Sequence, residues 1–538
     1  MGGLIAMKER SGLKKLTFGV AVMSASVMLT KICGMFFKIP LTSILGTYGM
    51  GVFNTAYTVY SLLFVLCSAG LPSAIAISVS SNLKDGENGC NLDVPPRSIL
   101  WVSIRFFGAI GLVCAALTYA FAEKLAGLLN NPESAPSLKA LSLCLLFTTV
   151  SGVLRGYFQG HGDMVPTALS QVIEAFGKLA LGVLFAWYAS SHGYPIRSVA
   201  AYAVFGVTLS SLLSAVYLLL KYAFYKQRRA YKTKNTDNRD TAILKKLFKT
   251  AAPITMSSLV MSIVGIIDLI LVMRLLKGAD GSSDFANDQY GAYSALATPI
   301  FNLPSVMIMP IATAILPVIA GAVSVGKIKK VVDSVLYAIK LCFSVAVPCA
   351  LGLCFLSEPI LMLLYEDTAA HKAAPMLSSL SVAVVFICLI SVQGPVLQGV
   401  GKASLPMISM LVGAFAKILT GIFLIPRLGI YACALGTLIC YAIASLLNGY
   451  FIERKAAIQI PYLRYFLHSL ICALPATAFS HALYLAINSK IGVNLACVAA
   501  IALAASIYLA LILLSGYFKI RDIAFVLSIK RKKYKFRR

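Results

Sequence analysis

The chain has 538 residues, 59 % of them hydrophobic and only 12 % charged, with a mean hydropathy of +0.84. A soluble protein carries about a quarter charged residues, so this composition excludes a soluble globular domain and describes a polytopic membrane protein. The net charge of +27 sits in clusters between apolar segments, which points to membrane-flanking connections and anionic lipid and away from nucleic acid.

The first cluster, Lys8, Arg10, Lys14 and Lys15, precedes an apolar run that lacks a small-residue cleavage site and contains Lys31. It reads as a retained first span. Windows of about 20 apolar residues predict an all-α protein with fourteen transmembrane helices at 17–38, 52–82, 98–120, 138–158, 166–190, 197–224, 250–275, 290–320, 331–356, 376–398, 404–425, 429–452, 462–487 and 491–517. With the N-terminus inside, most of the 47 Lys and Arg residues fall on even-numbered connections and the C-terminal tail. The positive-inside rule therefore puts both termini in the cytoplasm. The connection after the sixth span carries Lys226, Arg228, Arg229, Lys232, Lys234, Lys245 and Lys246, whereas short outward connections carry Asp280, Asp284, Asp288, Glu366 and Asp367. The 13 cysteines lie almost all in apolar segments without metal-ligand spacing, so neither disulfides nor a bound metal is expected.

The chain also repeats itself. Gln159-Gly160-His161-Gly162, Ser170, Ala175-Phe176, Lys178 and Gly182 recur, at a constant offset of 239 residues, as Gln398-Gly399-Val400-Gly401, Ser409, Ala414-Phe415, Lys417 and Gly421. The offset maps the fifth span onto the eleventh, an even difference, so the copies share one orientation and are parallel repeats. The expected organisation is a first lobe of six spans (1–224), a basic cytoplasmic linker (225–249), a second lobe of six spans (250–455), two further spans (456–517) and a basic cytoplasmic tail (518–538). Pro72 in the second span and Pro310 and Pro317 in the eighth are candidate hinges, or plain membrane-helix prolines.

An ionisable side chain at mid-bilayer costs at least about 2.5 to 3.5 kcal/mol and needs a partner, a cavity or a role. Lys31, Lys178 and Lys417 lie that deep, and either line a cationic cavity or pair and snorkel. Lys178 has Glu174 one turn earlier on its helix, whereas the residue one turn before Lys417 is Gly413. Read as an isolated neutral pair, Glu174 and Lys178 are together more dispensable than Lys417, and Glu174 is more dispensable than Lys178. Lys38 and Arg274 lie near the outer ends of corresponding spans, and Asp268 is the deep acid of the seventh, there to bind a cation or to pair with a lysine. Cationic excess implies an anionic substrate, for which phosphate groups suit lysine. Asn54, Tyr57 and Tyr60 add the amide and hydroxyl groups that recognise sugars, although tyrosine is also common at membrane interfaces.

The opening third holds Lys31-Ile32-Cys33-Gly34, Lys38-Ile39-Pro40-Leu41-Thr42, Tyr48-Gly49-Met50-Gly51, Ala56-Tyr57 and Ala69-Gly70-Leu71-Pro72-Ser73. These segments resemble the stage V sporulation protein B-like polysaccharide exporters, a branch of the multidrug/oligosaccharidyl-lipid/polysaccharide (MOP) exporter superfamily that includes lipid II flippases of the MurJ type. The resemblance implies two six-helix lobes in a V plus two extra helices, and the flipping of an undecaprenyl-pyrophosphate-linked sugar in the bacterial cytoplasmic membrane by alternating access. It implies that Lys31 and Lys38 of the first span line the central cavity. Some relatives bind sodium through acids on several spans; here Asp268 and Glu174 are the ion-coupling candidates, and a monovalent cation is the one cofactor considered. A monomer is expected, with a lipid-linked anionic saccharide and anionic membrane lipids as its partners. A drug/cation antiporter of the multidrug and toxin extrusion type shares the architecture but wants cavity acids where the first span has lysines. An integral-membrane glycosyltransferase needs a carboxylate-based site, and Glu366-Asp367 in a short connection is the one acid pair of that kind. No catalytic residue and no enzymatic activity is expected.

Overall fold

The computed structural model of the chain describes residues 2–87, 95–224, 239–276, 284–324, 326–402 and 404–517. Some side chains within its helices, including those of Pro310 and Pro317, lie outside the described residues, as do most of the basic linker and the whole tail. The described residues contain helices and no strand. In chain order they are α1 (Gly2–Ser68), α2 (Leu71–Glu87), α3 (Pro96–Ala120), α4 (Ala122–Leu128), a 3-10 turn (Pro132–Ser134), α5 (Ala135–Gly160), α6 (Val165–Ser191), α7 (Ile196–Ala223), α8 (Arg239–Leu275), α9 (Asp284–Gly291), a π turn (Ala292–Ala297), α10 (Thr298–Ser324), α11 (Ile328–Phe355), α12 (Ser357–Leu364), α13 (Asp367–Ser381), α14 (Ala383–Gly399), α15 (Leu405–Leu428), α16 (Tyr431–Ala456), α17 (Tyr462–Ile491) and α18 (Val493–Leu514).

Among the described residues eleven helices are long and apolar enough to cross a membrane, or twelve if α13 and α14, bent by 53° at their junction, form one span. The expected count of fourteen differs for two visible reasons. One continuous run, Ala25–Ser81, takes in most of both the first and the second expected spans. The expected seventh span lies on α8, several of whose side chains fall outside the described residues. The first connection is thus no loop: α1 runs through it and breaks only at Gly46, with φ 63° and ψ −178°. Glycine lacks the Cβ that makes this conformation costly. The second expected span breaks instead at Ala69-Gly70, and Pro72 falls in the first turn of α2, where its missing N–H has no helical partner to lose. Pro72 therefore starts a helix and does not kink one.

The chain packs as two compact units, Met1–Ala295 and Leu296–Arg538. This division follows packing and differs from the lobe boundaries expected from the repeat, since α8 and α9 fall in the first unit. In lipid, tails are as apolar as leucine, so helix association relies on small residues that let backbones approach. In the first unit a Cβ at Gly156 would lie 2.9 Å from Ile75 Cβ, and one at Gly160 would lie 2.6 Å from Val79 Cβ. These glycines seat α5 on α2, in a core with Leu71, Ile99, Leu154, Phe158 and Leu247. In the second unit Gly399, the repeat counterpart of Gly160, meets Ile319 in the same way and seats α14 on α10. Gly162 and Gly401 close the two turns with φ 76° and 82°. The repeated Gln-Gly-x-Gly motif is thus a packing and turn device.

Candidate functional site

Three helices of the first unit converge on a buried ionic cluster. Arg155 on α5 extends its guanidinium between α6 and α7: Nε donates to Ser170 Oγ at 2.9 Å, and Nη2 donates to Glu174 Oε2 at 2.8 Å and Ser214 Oγ at 3.0 Å. Ser214 in turn donates to the Ser170 carbonyl at 3.0 Å. The second Glu174 oxygen accepts from Lys178 Nζ at 2.8 Å, and the three side chains are 16 %, 14 % and 23 % exposed. The expected isolated Glu174–Lys178 pair is therefore a triad of two cations and one carboxylate. Arg155 escaped the sequence reading although it stands inside the fourth expected span, where an arginine in an apolar window is itself a signal.

The second repeat keeps the serine and the lysine but has Gly394 and Gly413 in place of Arg155 and Glu174. A Cβ at Gly413 would overlap the Cys440 carbonyl, so backbone of α16 fills the space that the carboxylate uses in the first copy. The Lys417 stem lies against Gly436, where a Cβ would be 3.2 Å from Lys417 Cγ. Lys417 belongs to the second unit and is half-buried.

An aromatic ladder climbs the second half of α1 beside the triad. Phe53 stacks on Tyr57 at 5.9 Å between centroids, Tyr57 meets Tyr60 at 5.6 Å, and Tyr60 meets Phe64 at 6.0 Å. Tyr57 lies within electrostatic reach of Lys178. Tyr60 is buried, with the Cys144 thiol donating to its hydroxyl at 3.3 Å, and Asn54 is buried with its Nδ2 unpartnered among the described residues. Of the three sugar-recognition candidates, only Tyr57 keeps a partly exposed face.

The other candidates are dispersed. Lys31 is exposed on α1 and makes no ion pair or hydrogen bond among the described residues. Arg274 on α8 is exposed, its Nη2 3.5 Å from the Leu128 carbonyl, and Asp268 is half-buried on the same helix. Lys38 donates to the Ser294 carbonyl at 3.1 Å, inside the π turn. In the π register that carbonyl would look to the amide of residue 299, which is a proline without an N–H. The Lys38 ammonium supplies the missing donor. Lys38→Met should accordingly destabilise the protein by about 1 kcal/mol, the cost of a part-buried carbonyl left without its donor, and Lys38→Arg should recover most of it. Melting curves in detergent decide: equal midpoints for wild type and the Met variant would assign Lys38 to another role.

A polar seam, mostly of amides and hydroxyls, joins α1 to α9. Asn131 and Asn287, both buried, exchange amide hydrogen bonds of 2.6 and 3.2 Å, and Asn131 Nδ2 also donates to Thr55 Oγ1 at 2.9 Å. Thr47 Oγ1 donates to Asp288 Oδ1. The helices touch because Gly51 and Gly291 are bare: a Cβ at Gly51 would overlap the Asn287 carbonyl, and one at Gly291 the Thr47 carbonyl. Among the described residues no group of three His, Cys, Asp or Glu side chains is placed to hold a metal. Outside the spans, burial pushes the His161 imidazole below the ordinary histidine value while its Nδ1 meets the Tyr157 carbonyl at 2.9 Å.

The profile of the polysaccharide biosynthesis protein family matches residues 16–323, and that of the MatE family matches residues 253–423. The chain is 26 % identical over 509 residues to Stage V sporulation protein B of Bacillus subtilis, covering 92 % of this chain and 94 % of the relative. It is 24 % identical over 460 residues to Lipid II flippase MurJ of the same organism, covering 82 % and 83 %. Among solved structures it is similar to Lipid II flippase MurJ in an inward closed conformation, with a TM-score of 0.70, 17 % identity, and coverage of 91 % of this chain and 98 % of that one. It is also similar to an inward-facing multidrug resistance MATE family transporter of the MOP superfamily, with a TM-score of 0.62, 15 % identity, and coverage of 83 % and 98 %.

Proposed function

Because the chain belongs to the polysaccharide biosynthesis protein family and has the fold of MOP-superfamily transporters, we propose that it flips an undecaprenyl-pyrophosphate-linked saccharide across the cytoplasmic membrane by alternating access. The observation that carries this reading is the charge balance of the first unit. Arg155 and Lys178 outnumber Glu174 inside apolar helices, and Lys31 adds an exposed ammonium on α1. Positive charge in excess at low dielectric is costly until an anion arrives, and pyrophosphate is a compact anion that ammonium and guanidinium groups bind well. A cationic-drug antiporter would need an available carboxylate; Glu174 is already held by two cations, so that reading would have to rest on Asp268 of α8. The basic connections support cytoplasmic termini, and the protein acts as a monomer, its basic tail drawing anionic lipid to the cytoplasmic face.

The test is depletion of the protein in its native bacterium with redundant flippases removed, followed by measurement of lipid II accessible from the outer face. A fall supports the peptidoglycan-precursor form of the proposal; an unchanged level rejects it. In the same background Lys31→Gln should fail to complement at matched membrane abundance and Lys31→Arg should succeed, since the proposal asks for charge at that position and not for a particular shape. Full complementation by the Gln variant would remove Lys31 from the site.

A further inference from the structure

The second unit contains a cavity of about 570 Å³ between α11, α14, α16 and α17. That volume is within the usual range for small-molecule sites, about 300 to 1,000 Å³. Its walls are apolar, with Phe343, Phe386 and Leu389 among them, and it runs toward the end of the membrane where α16 connects to α17. Three acceptors stand at that end. Gln393 is 1 % exposed, its Nε2 donates to the Tyr462 hydroxyl at 3.2 Å, and its Oε1 has no hydrogen-bond partner among the described residues. Glu453, on the cavity lining and exposed, lies within electrostatic reach of the same Tyr462 hydroxyl. Gly449 lets α16 come close to the Gln393–Tyr462 pair, since a Cβ there would lie 3.3 Å from the Tyr462 hydroxyl and 3.6 Å from Gln393 Nε2.

A buried carbonyl oxygen left unpaired is costly and asks for a donor. A carboxylate beside it asks for a positive one. A primary ammonium has three donors and no acceptor, and so suits a cavity lined by Gln393 Oε1, the Tyr462 oxygen and the Glu453 carboxylate. The apolar walls ask for a hydrocarbon chain attached to that ammonium. Arg464 lines the adjoining cavity of about 720 Å³ that shares Tyr462 and Leu463, and supplies a cation there. An acid on the lining of one cavity and a base on the lining of the adjoining one match a zwitterion.

We infer that this cavity is a binding site for one aminophospholipid of the bilayer, phosphatidylethanolamine: an acyl chain between α14, α16 and α17, the ammonium on Glu453 and Gln393, and the phosphate toward Arg464. The site lies wholly within the second unit and stands independently of which saccharide is carried. The full-length protein, delipidated and returned to detergent with dioleoyl phosphatidylethanolamine, phosphatidylcholine or phosphatidylglycerol, is examined by native mass spectrometry. One phosphatidylethanolamine should be retained at least about tenfold more than phosphatidylcholine, a ratio that one charge-assisted hydrogen bond denied to a quaternary ammonium can produce. Glu453→Gln, a change at an exposed position, should erase that preference while leaving the protein folded. Ser445→Phe, which fills the cavity, should remove the retained lipid altogether. Equal retention of the two zwitterionic lipids, preference for phosphatidylglycerol, or an unchanged preference in Glu453→Gln would each overturn the assignment.

Discussion

Glu174→Gln is expected to be the most destabilising conservative change in the first unit, lowering stability by about 3 to 5 kcal/mol, the usual cost of removing one partner from a buried ionic cluster. The reason is the stoichiometry of the triad. Without the carboxylate, Arg155 and Lys178 face the same space as two buried cations, and nothing in their hydrogen-bonded shell of Ser170 and Ser214 carries negative charge. Lys178→Gln leaves Arg155 and Glu174 as a one-to-one pair at 2.8 Å, so it should melt near wild type yet lose transport, because the cationic excess is gone. The double variant leaves Arg155 with its two serines and should fall between. This order reverses the one expected for an isolated Glu174–Lys178 pair, in which Glu174 is the dispensable member. Thermal melts in detergent, scored beside complementation at matched membrane abundance, separate the two. A Glu174→Gln variant that melts with wild type would mean that the triad does not act as an electrostatic unit.

What the sequence made legible, and what it hid, follows from the range of the physics involved. Hydropathy is local, so the apolar helices and the duplication were readable from single windows and from one offset. The break at Gly46 was not, because the residues on both sides are apolar and a single left-handed glycine leaves no hydropathic trace. Pro72 was readable as a proline in an apolar run, but whether a proline kinks a helix or begins one depends on where the preceding turn falls, here Ala69-Gly70. The Gln-Gly-x-Gly motif was readable as repeated; its packing role depends on Val79 and Ile319, far away in the chain. The triad was half-readable. An i, i+4 acid and base announce themselves on one helix, whereas Arg155 reaches Glu174 from another helix 19 residues earlier. Lys38 was legible as a charge near the outer end of the first span, but its contact with the Ser294 carbonyl needs the π turn, which no residue pattern in the sequence signalled.

The seam between α1 and α9 leads to the second large effect. Paired cysteines at Thr47 and Asp288, whose side chains touch, should form a disulfide under mild oxidation, and the oxidised protein should stop transporting until a reductant is added. Alternating access requires a contact that closes one side in one state and parts in the other, and this seam has the make-up of such a contact. Its bonds are mostly neutral amide and hydroxyl pairs, Asn131 with Asn287 and Thr55, each worth only about 0.5 to 1.5 kcal/mol net. Such bonds can be exchanged for water when the helices separate, whereas the ionic triad deeper in the unit cannot be opened so cheaply. On the proposed orientation the seam closes the outer side. Gly291→Val then provides the converse test, because its side chain would overlap the Thr47 carbonyl and hold α9 away from α1. A cysteine in place of Asn54, which is 5 % exposed on α1 three residues after Gly51, should become reactive toward an impermeant maleimide in the Gly291→Val background and stay protected in the cross-linked one. Normal transport by the fully oxidised pair would mean that α1 and α9 stay together throughout the cycle, and the moving contact would have to be sought elsewhere.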